Sequence, residues 1–179
     1  MNVRAMTPGE GDLYARTIGT DSPVTFRGRL SDATRCFVVE GEGRVLHASW
    51  VTTQCAWTRE LRAFLCVNEG DAYVYESFTR ADARGRGVYP FALDEICRVL
   101  DGEGTGRLWV GVEAHNEPSL RAVRKAGFEP AFDIRYARRL GRFTIVVPDG
   151  VKTDTPAAGL SKKRRIWLSR DGAMYQWER

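Results

Sequence analysis

The spacing of apolar residues along this chain changes several times, and each change marks a new element. Residues 34–53, TRCFVVEGEGRVLHASWVTT, hold two extended apolar and β-branched runs around a Gly-containing break at 40–43, which predicts a hairpin. Residues 72–79, AYVYESFT, are rich in aromatic and β-branched types and predict a strand. A polar, glycine-bearing loop follows. Beyond it Val88, Phe91, Ala92, Ile96, Val99 and Leu100 recur at spacings of three and four, the signature of a helix with one apolar face. Pro90 falls in the first turn of that helix, where its missing N–H is not needed. Gly102, Gly104 and Gly106 end it.

Residues 107–113, RLWVGVE, predict a short strand. Asn116 is placed to cap a second helix, with Glu117 and Pro118 in its first turn and Gly127 as its left-handed exit. Strands are expected at 131–139 and 142–147, a linker at 149–161, and a small terminal hairpin around Asp171 and Gly172. Residues 11–19 fit a helix or an edge strand, and 56–66 carry no clear period. The order is hairpin, strand, helix, strand, helix, two strands. It predicts an α/β fold, one mixed central sheet flanked by helices, with a C-terminal extension. The strand–helix alternation of a dinucleotide-binding fold is absent.

The chain has 179 residues, enough for one substantial core. No run has the length of a signal-peptide core or a bilayer span, so a cytoplasmic protein with no membrane partner is expected. Cys36, Cys55, Cys66 and Cys97 form neither a CxxC motif nor a disulfide framework; Cys36 and Cys97 read as small buried hydrophobes in a reducing compartment. With only His47 and His115 beside them, no metal site is expected. The net charge of +4 resides in residues 151–179, which carry seven Lys or Arg against three Asp or Glu. This predicts a domain over 1–150 and a basic extension over 151–179, packed on or beside it. The cluster Lys162–Arg165 reads as a solvated turn, and no nucleic-acid partner is expected.

The segment Arg84-Gly85-Arg86-Gly87-Val88-Tyr89 lies between a predicted strand and a predicted helix. Its glycines let backbone approach a ligand, the helix start offers free N–H groups, and the arginines add positive charge. Such a loop suits a phosphate or pyrophosphate. It matches neither of the common nucleotide-binding glycine motifs. Together with Asn116-Glu117-Pro118-Ser119 and the Gly127-Phe128 that follows, it resembles the two signatures of the GNAT N-acetyltransferase superfamily. These are Gln/Arg-x-x-Gly-x-Gly/Ala and Asn-x-x-Ala/Ser before a helix ending in Gly-Phe. The resemblance covers about residues 34–140.

That resemblance implies an acyl-CoA co-substrate, acetyl-CoA first, and direct transfer to a primary amine without metal. It implies that Ser77, Phe78 and Thr79 lie on a splayed strand whose backbone meets the pantetheine. It also implies that the amides of Arg84, Gly85, Arg86, Gly87, Val88 and Tyr89 hold the pyrophosphate, and that Asn116 and Ser119 steady the far arm. Asn116 is equally a plain N-cap, and the roles coexist. Two positions depart from the pattern. Tyr89 replaces a Gly or Ala, and Val123 stands where many relatives carry a tyrosine that protonates the leaving thiolate. For the base that deprotonates the ammonium, Glu76 is first choice and Glu113 second, with Tyr73 or Tyr75 orienting the amine. Strict strand alternation puts Tyr73, Tyr75, Ser77 and Thr79 on one face and Glu76 on the other, unless the strand is bulged. A small amine such as an amino sugar or amino acid is the expected acceptor. A protein N-terminus or lysine, and a non-catalytic acyl-CoA-binding domain, are the alternatives. A homodimer is left open.

Overall fold

A computed structural model describes residues 1–139, 142–147, 155–156, 163–165 and 172–179. At its centre is a nine-stranded sheet, whose members in chain order are β1 (Asn2–Ala5), β2 (Thr34–Gly41), β3 (Arg44–Thr52), β6 (Asp71–Thr79), β7 (Arg107–Glu113), β8 (Glu129–Arg139), β9 (Arg142–Val146), β10 (Lys163–Arg165) and β11 (Gly172–Glu178). A separate hairpin, β4 (Cys55–Thr58) and β5 (Ala63–Cys66), lies outside it. The helices are α1 (Gly11–Thr17), α2 (Pro23–Arg29), α3 (Val88–Gly102) and α4 (Glu117–Lys125). The sheet order is β1-β2-β3-β6-β7-β11-β8-β9-β10, and β6–β7 is its parallel pair.

The periods read from the sequence decide which faces are covered. On one face Leu93, Ile96 and Leu100 of α3 and Leu120 and Val123 of α4 pack over Ala72, Val74, Leu108 and Val110. Each fully buried Leu or Ile there contributes about 1.5–3 kcal/mol. On the opposite face α1 and α2 bring Tyr14, Ile18 and Phe26 onto Trp50, Val38 and Ala48. Beside them the β4–β5 hairpin buries Ala56, Leu61 and Leu65 against Tyr73, Trp109 and Ile134. Residues 11–17 are thus helical, and the indeterminate stretch 56–66 is a hairpin. The β2–β3 turn falls where expected, with Glu42 and Gly43 both at positive φ (56° and 71°), the pairing that a two-residue hairpin turn demands.

Two expectations are corrected. Cys55 and Cys66 are disulfide-bonded across β4 and β5, so these thiols are not isolated; only Cys36 and Cys97 are free. The spacing of eleven residues matches no common motif, and only the hairpin register, Cys55 opposite Cys66, brings them together. For Cys36 and Cys97 burial pushes the thiols up to about 12 and about 11, which suits inert packing residues. The terminal segment is not a hairpin folded on itself. β11 inserts between β7 and β8, antiparallel to both, and β10 pairs with β9. The reason is packing: Met174, Gln176 and Trp177 alternate into the two cores and are all buried. Asp171, most of the 149–161 linker and Lys162 lie outside the described residues.

Candidate active site

The site originates in the way β6 parts from β7. At its start the parallel pair is pinned by Asp71, which is buried and accepts from Trp109 Nε1 (3.0 Å) while pairing with Arg107 (3.0 Å). The register runs from Asp71↔Arg107 to Val74↔Val110 and stops. Beyond that point β6 continues with β3, and β7 continues with β11 through Gly111↔Gln176 and Glu113↔Met174. The parting is helped by a bulge. Ala48 pairs with Phe78 and Trp50 with Tyr75, so Glu76 and Ser77 together face Ser49 alone. Glu76 takes a left-handed φ of 46°, an uncommon conformation for a residue with a Cβ.

The bulge overturns the strict alternation. Tyr73 and Tyr75 lie on the hairpin and α1–α2 face, packed with the cores there. Ser77 and Thr79 turn to the α3 face, where Ser77 Oγ meets Ser49 Oγ (2.7 Å) and Thr79 Oγ1 meets His47 Nδ1 (2.7 Å).

Two cavities flank this parting. The larger, about 610 Å³, is bordered by Ser77, Phe78 and Thr79, the loop residues Arg84, Gly85 and Gly87, Val88 and Tyr89 of α3, and Asn116 and Ser119 at the start of α4. These are the residues assigned to a coenzyme, with one exception. Arg86 does not border the cavity; its guanidinium is held by Glu42 on the β2–β3 turn. Gly85 and Gly87 both sit at φ 74°, and a Cβ at either would meet nothing within 4 Å. The glycines are therefore required by backbone conformation, and the space outside them is open for a ligand. Asn116 caps α4 by accepting from the Ser119 N–H (3.3 Å), so the N-cap role is real. Arg121 and Lys125 also border the cavity. The sequence reading missed them, although their spacing from Pro118 by three and seven places all three on one face of α4. With Arg84 they make this cavity basic, as a phosphate-bearing ligand requires.

The smaller cavity, about 280 Å³, opens on the hairpin face and brings Glu76, Glu113, Tyr73 and Tyr75 together with Arg59 and Glu60. Glu76 is ion-paired with Arg29 (2.7 Å), whose guanidinium lies 3.9 Å from the Trp50 ring centroid and also engages Asp21. Burial works against the Arg29 charge, but Tyr75 and Glu76 outweigh it and lift its pKa above the ordinary value. Burial likewise raises the Tyr75 phenol, against a lowering hydrogen bond with Arg29. Glu113 accepts from Tyr136 Oη (2.9 Å). Tyr73 is buried, which pushes its phenol well up, and it donates to Gln176 Oε1 (3.0 Å). Gly111 makes that placement feasible, because a Cβ there would collide with the Tyr73 hydroxyl and come within 2.9 Å of Met174 Sδ. Glu60 and Gln176 had no local signal; their places depend on the hairpin fold and the inserted strand.

Val123, where the resemblance expects a tyrosine, is fully buried in the core beneath α4 and borders neither cavity. Among the described residues no three or more His, Cys, Asp or Glu gather as a metal site, and no helix is long and apolar enough to cross a membrane.

Residues 17–128 match the family model described as the Acetyltransferase (GNAT) family. No curated protein matches the sequence. Among solved structures, the chain superposes on the ribosomal-protein-S18-alanine N-acetyltransferase from Escherichia coli with a TM-score of 0.62 at 14% identity, over 99% of this chain and 91% of that one. An N-acetyltransferase from Staphylococcus aureus Mu50 gives 0.58 at 16% identity, over 98% and 96%. The IAA acetyltransferase from Bacillus cereus ATCC 14579 gives 0.57 at 11% identity, over 99% and 97%. At such identities the likeness speaks for the fold.

Proposed function

The chain belongs to the GNAT family of acetyltransferases, and from that premise we propose that it transfers a short acyl group, acetyl first, directly from acyl-CoA to the primary amine of a small molecule such as an amino sugar or amino acid. The observation that carries this reading is the meeting of two cavities of opposite character at the bulge of β6. One is basic and bordered by the glycine loop; the other gathers three carboxylates, Glu60, Glu76 and Glu113, against Arg59 on its lining and the Arg29 that pairs with Glu76. An ammonium is drawn to such a lining, and an anionic coenzyme to the other.

The volume supports a small acceptor. About 280 Å³ lies just below the range of about 300–1,000 Å³ for drug-sized ligands, room for a small amine and not for a long peptide. Amine attack requires the free base. Glu76 takes the ammonium proton, directly or through one water, with Glu113 as second choice. Arg29 holds the Glu76 carboxylate at the cavity edge. Tyr75, packed beside Arg29 and Trp50, orients the amine, while Tyr73 forms the floor. A backbone N–H of the parted segment near Thr79 stabilises the oxyanion.

The test is a panel of amino sugars, amino acids, polyamines and short peptides, assayed with acetyl-CoA for thiol release. Turnover of small amines with kcat/KM well above that of the peptides supports the reading. Preference for peptide N-termini or lysines overturns the acceptor class, and failure to bind any acyl-CoA in calorimetry overturns the whole. For the base, Glu76→Gln should remove the acidic limb of the kcat/KM profile and lower the rate by about 10²-fold or more. An unchanged profile shifts the role to Glu113 or to bulk water.

A further inference from the structure

Five residues border both cavities: Ser77, Phe78, Tyr89, Asn116 and Ser119. Whatever bond is made and broken where the cavities join has these side chains around it. Asn116 Oδ1 is occupied by the Ser119 N–H, and Phe78 has no proton to give. Of the hydroxyls, the Tyr89 phenol is by far the strongest acid.

Tyr89 also ends a continuous hydrogen-bonded chain. Thr79 Oγ1 meets His47 Nδ1 at 2.7 Å, His47 Nε2 meets Ser49 Oγ at 2.7 Å, and Ser49 Oγ meets Ser77 Oγ at 2.7 Å. Ser77 in turn hydrogen-bonds the Tyr89 hydroxyl, and the imidazole of His47 stacks on the Tyr89 ring with centroids 5.2 Å apart. His47 is buried and only 1% exposed. Burial pushes its pKa down to about 3, so the ring stays neutral with one N–H and one lone pair. That makes the chain directional. With the proton on Nε2, His47 donates to Ser49, Ser49 to Ser77 and Ser77 to Tyr89 Oη. The Tyr89 hydroxyl then has its own proton free to point into the junction.

We propose that Tyr89 is the general acid of this enzyme, giving the leaving coenzyme sulfur its proton, and that His47, Ser49 and Ser77 are positioning residues that aim it. The assignment rests on the acyl-transfer reading above. As the C–S bond of the tetrahedral adduct breaks, its electron pair stays on sulfur and the Tyr89 O–H proton moves to that sulfur. The phenolate left behind accepts a hydrogen bond from Ser77. It regains a proton from the newly acylated nitrogen, whose N–H bond leaves its pair on nitrogen. One proton has then passed from nitrogen to sulfur, and Tyr89 is restored. This supplies the acid that Val123 lacks. Burial raises the Tyr89 phenol and the Ser77 hydrogen bond lowers it again. The titratable groups facing it are His47 from β3 and Tyr73 from β6.

The experiment uses the full chain with acetyl-CoA and the best amine of the panel. Tyr89→Phe keeps the ring against His47, so the acetyl-CoA Kd from calorimetry should stay within twofold while kcat falls about 10²-fold or more. Ser49→Ala should lower kcat with both KM values unchanged, and Ser49→Thr should restore it. Incorporating 3-fluorotyrosine at position 89, a more acidic phenol, should keep activity and bring the alkaline limb of kcat to lower pH. Equal kcat for wild type and Tyr89→Phe, or a weakened Kd with kcat retained, overturns the assignment while leaving the acyl-transfer reading intact. If the wild type acetylates no amine, that reading fails and the assignment falls with it.

Discussion

Arg29 and Glu76 are joined across the α2–β6 boundary at 2.7 Å, with the guanidinium lying over the Trp50 ring and Glu76 held in a left-handed backbone conformation at the bulge. The pair ties the most unusual backbone in the strand to helix α2. Removing the cation leaves a carboxylate with no counter-charge and a bulge without its anchor. Arg29→Gln is expected to lower stability by on the order of 1–3 kcal/mol. It should also cut kcat/KM for the amine at least tenfold, with the acetyl-CoA Kd unchanged. Urea denaturation, calorimetry and initial rates check the three parts separately.

His47 gives a signed pH dependence. Its folded pKa, about 3, lies below the ordinary 6.5, so between those values the unfolded chain binds a proton that the folded chain excludes. Stability from this group is complete above about pH 6.5 and is lost as pH falls toward 3. From pH 7 to pH 5 the loss is about 2 kcal/mol for one such histidine. Glu10, lowered to about 2 mainly by its hydrogen bond with Arg4, acts in the same direction but at lower pH. Urea midpoints at pH 7 and pH 5 measure the slope, and His47→Asn should flatten it.

Gly87 stands at φ 74° as the residue before α3, with open space where a Cβ would go. Gly87→Ala therefore strains the backbone without a clash, at a cost of about 1–2 kcal/mol. The strain acts on the loop proposed above to cradle the coenzyme phosphates. The acetyl-CoA Kd should rise several-fold with kcat at saturation little changed, as calorimetry and rates together would show. Equal affinity in the variant would place the phosphate cradle elsewhere.

The Cys55–Cys66 disulfide closes the hairpin that carries Trp57, Thr58, Arg59 and Glu60 to the smaller cavity, the proposed acceptor site. A loop of this size contributes about 2–3 kcal/mol when closed. Replacing both cysteines by alanine should lower the melting temperature and raise KM for the amine, while the KM for acetyl-CoA stays put. A rise in both KM values would mean that the hairpin supports the whole sheet rather than one cavity.

Much of the coenzyme side was legible in the chain because short-range rules govern it. Gly85 and Gly87 announce positive φ, Asn116 announces a cap three residues from the N–H it holds, and the spacing of Val88, Ala92 and Ile96 announces the buried face of α3. Each of these is a property of residues within a turn or two of one another. The acceptor side was only partly legible. Glu76, Glu113, Tyr73 and Tyr75 were named from their strands, but the side that Glu76 takes depended on the bulge where Glu76 and Ser77 together face Ser49. The floor of the cavity depends on Tyr73 meeting Gln176 across 103 positions of sequence, through a strand inserted in the middle of the sheet. The chain of hydrogen bonds that ends at Tyr89 depends on His47 meeting Thr79 across 32. The sequence alone determined the hairpin β2–β3, the run β6-α3-β7-α4, the glycine loop and the family, since backbone preference and period act locally. Only the tertiary structure decided which hydroxyls, carboxylates and thiols meet, because those contacts exist only once the sheet has brought distant strands into register.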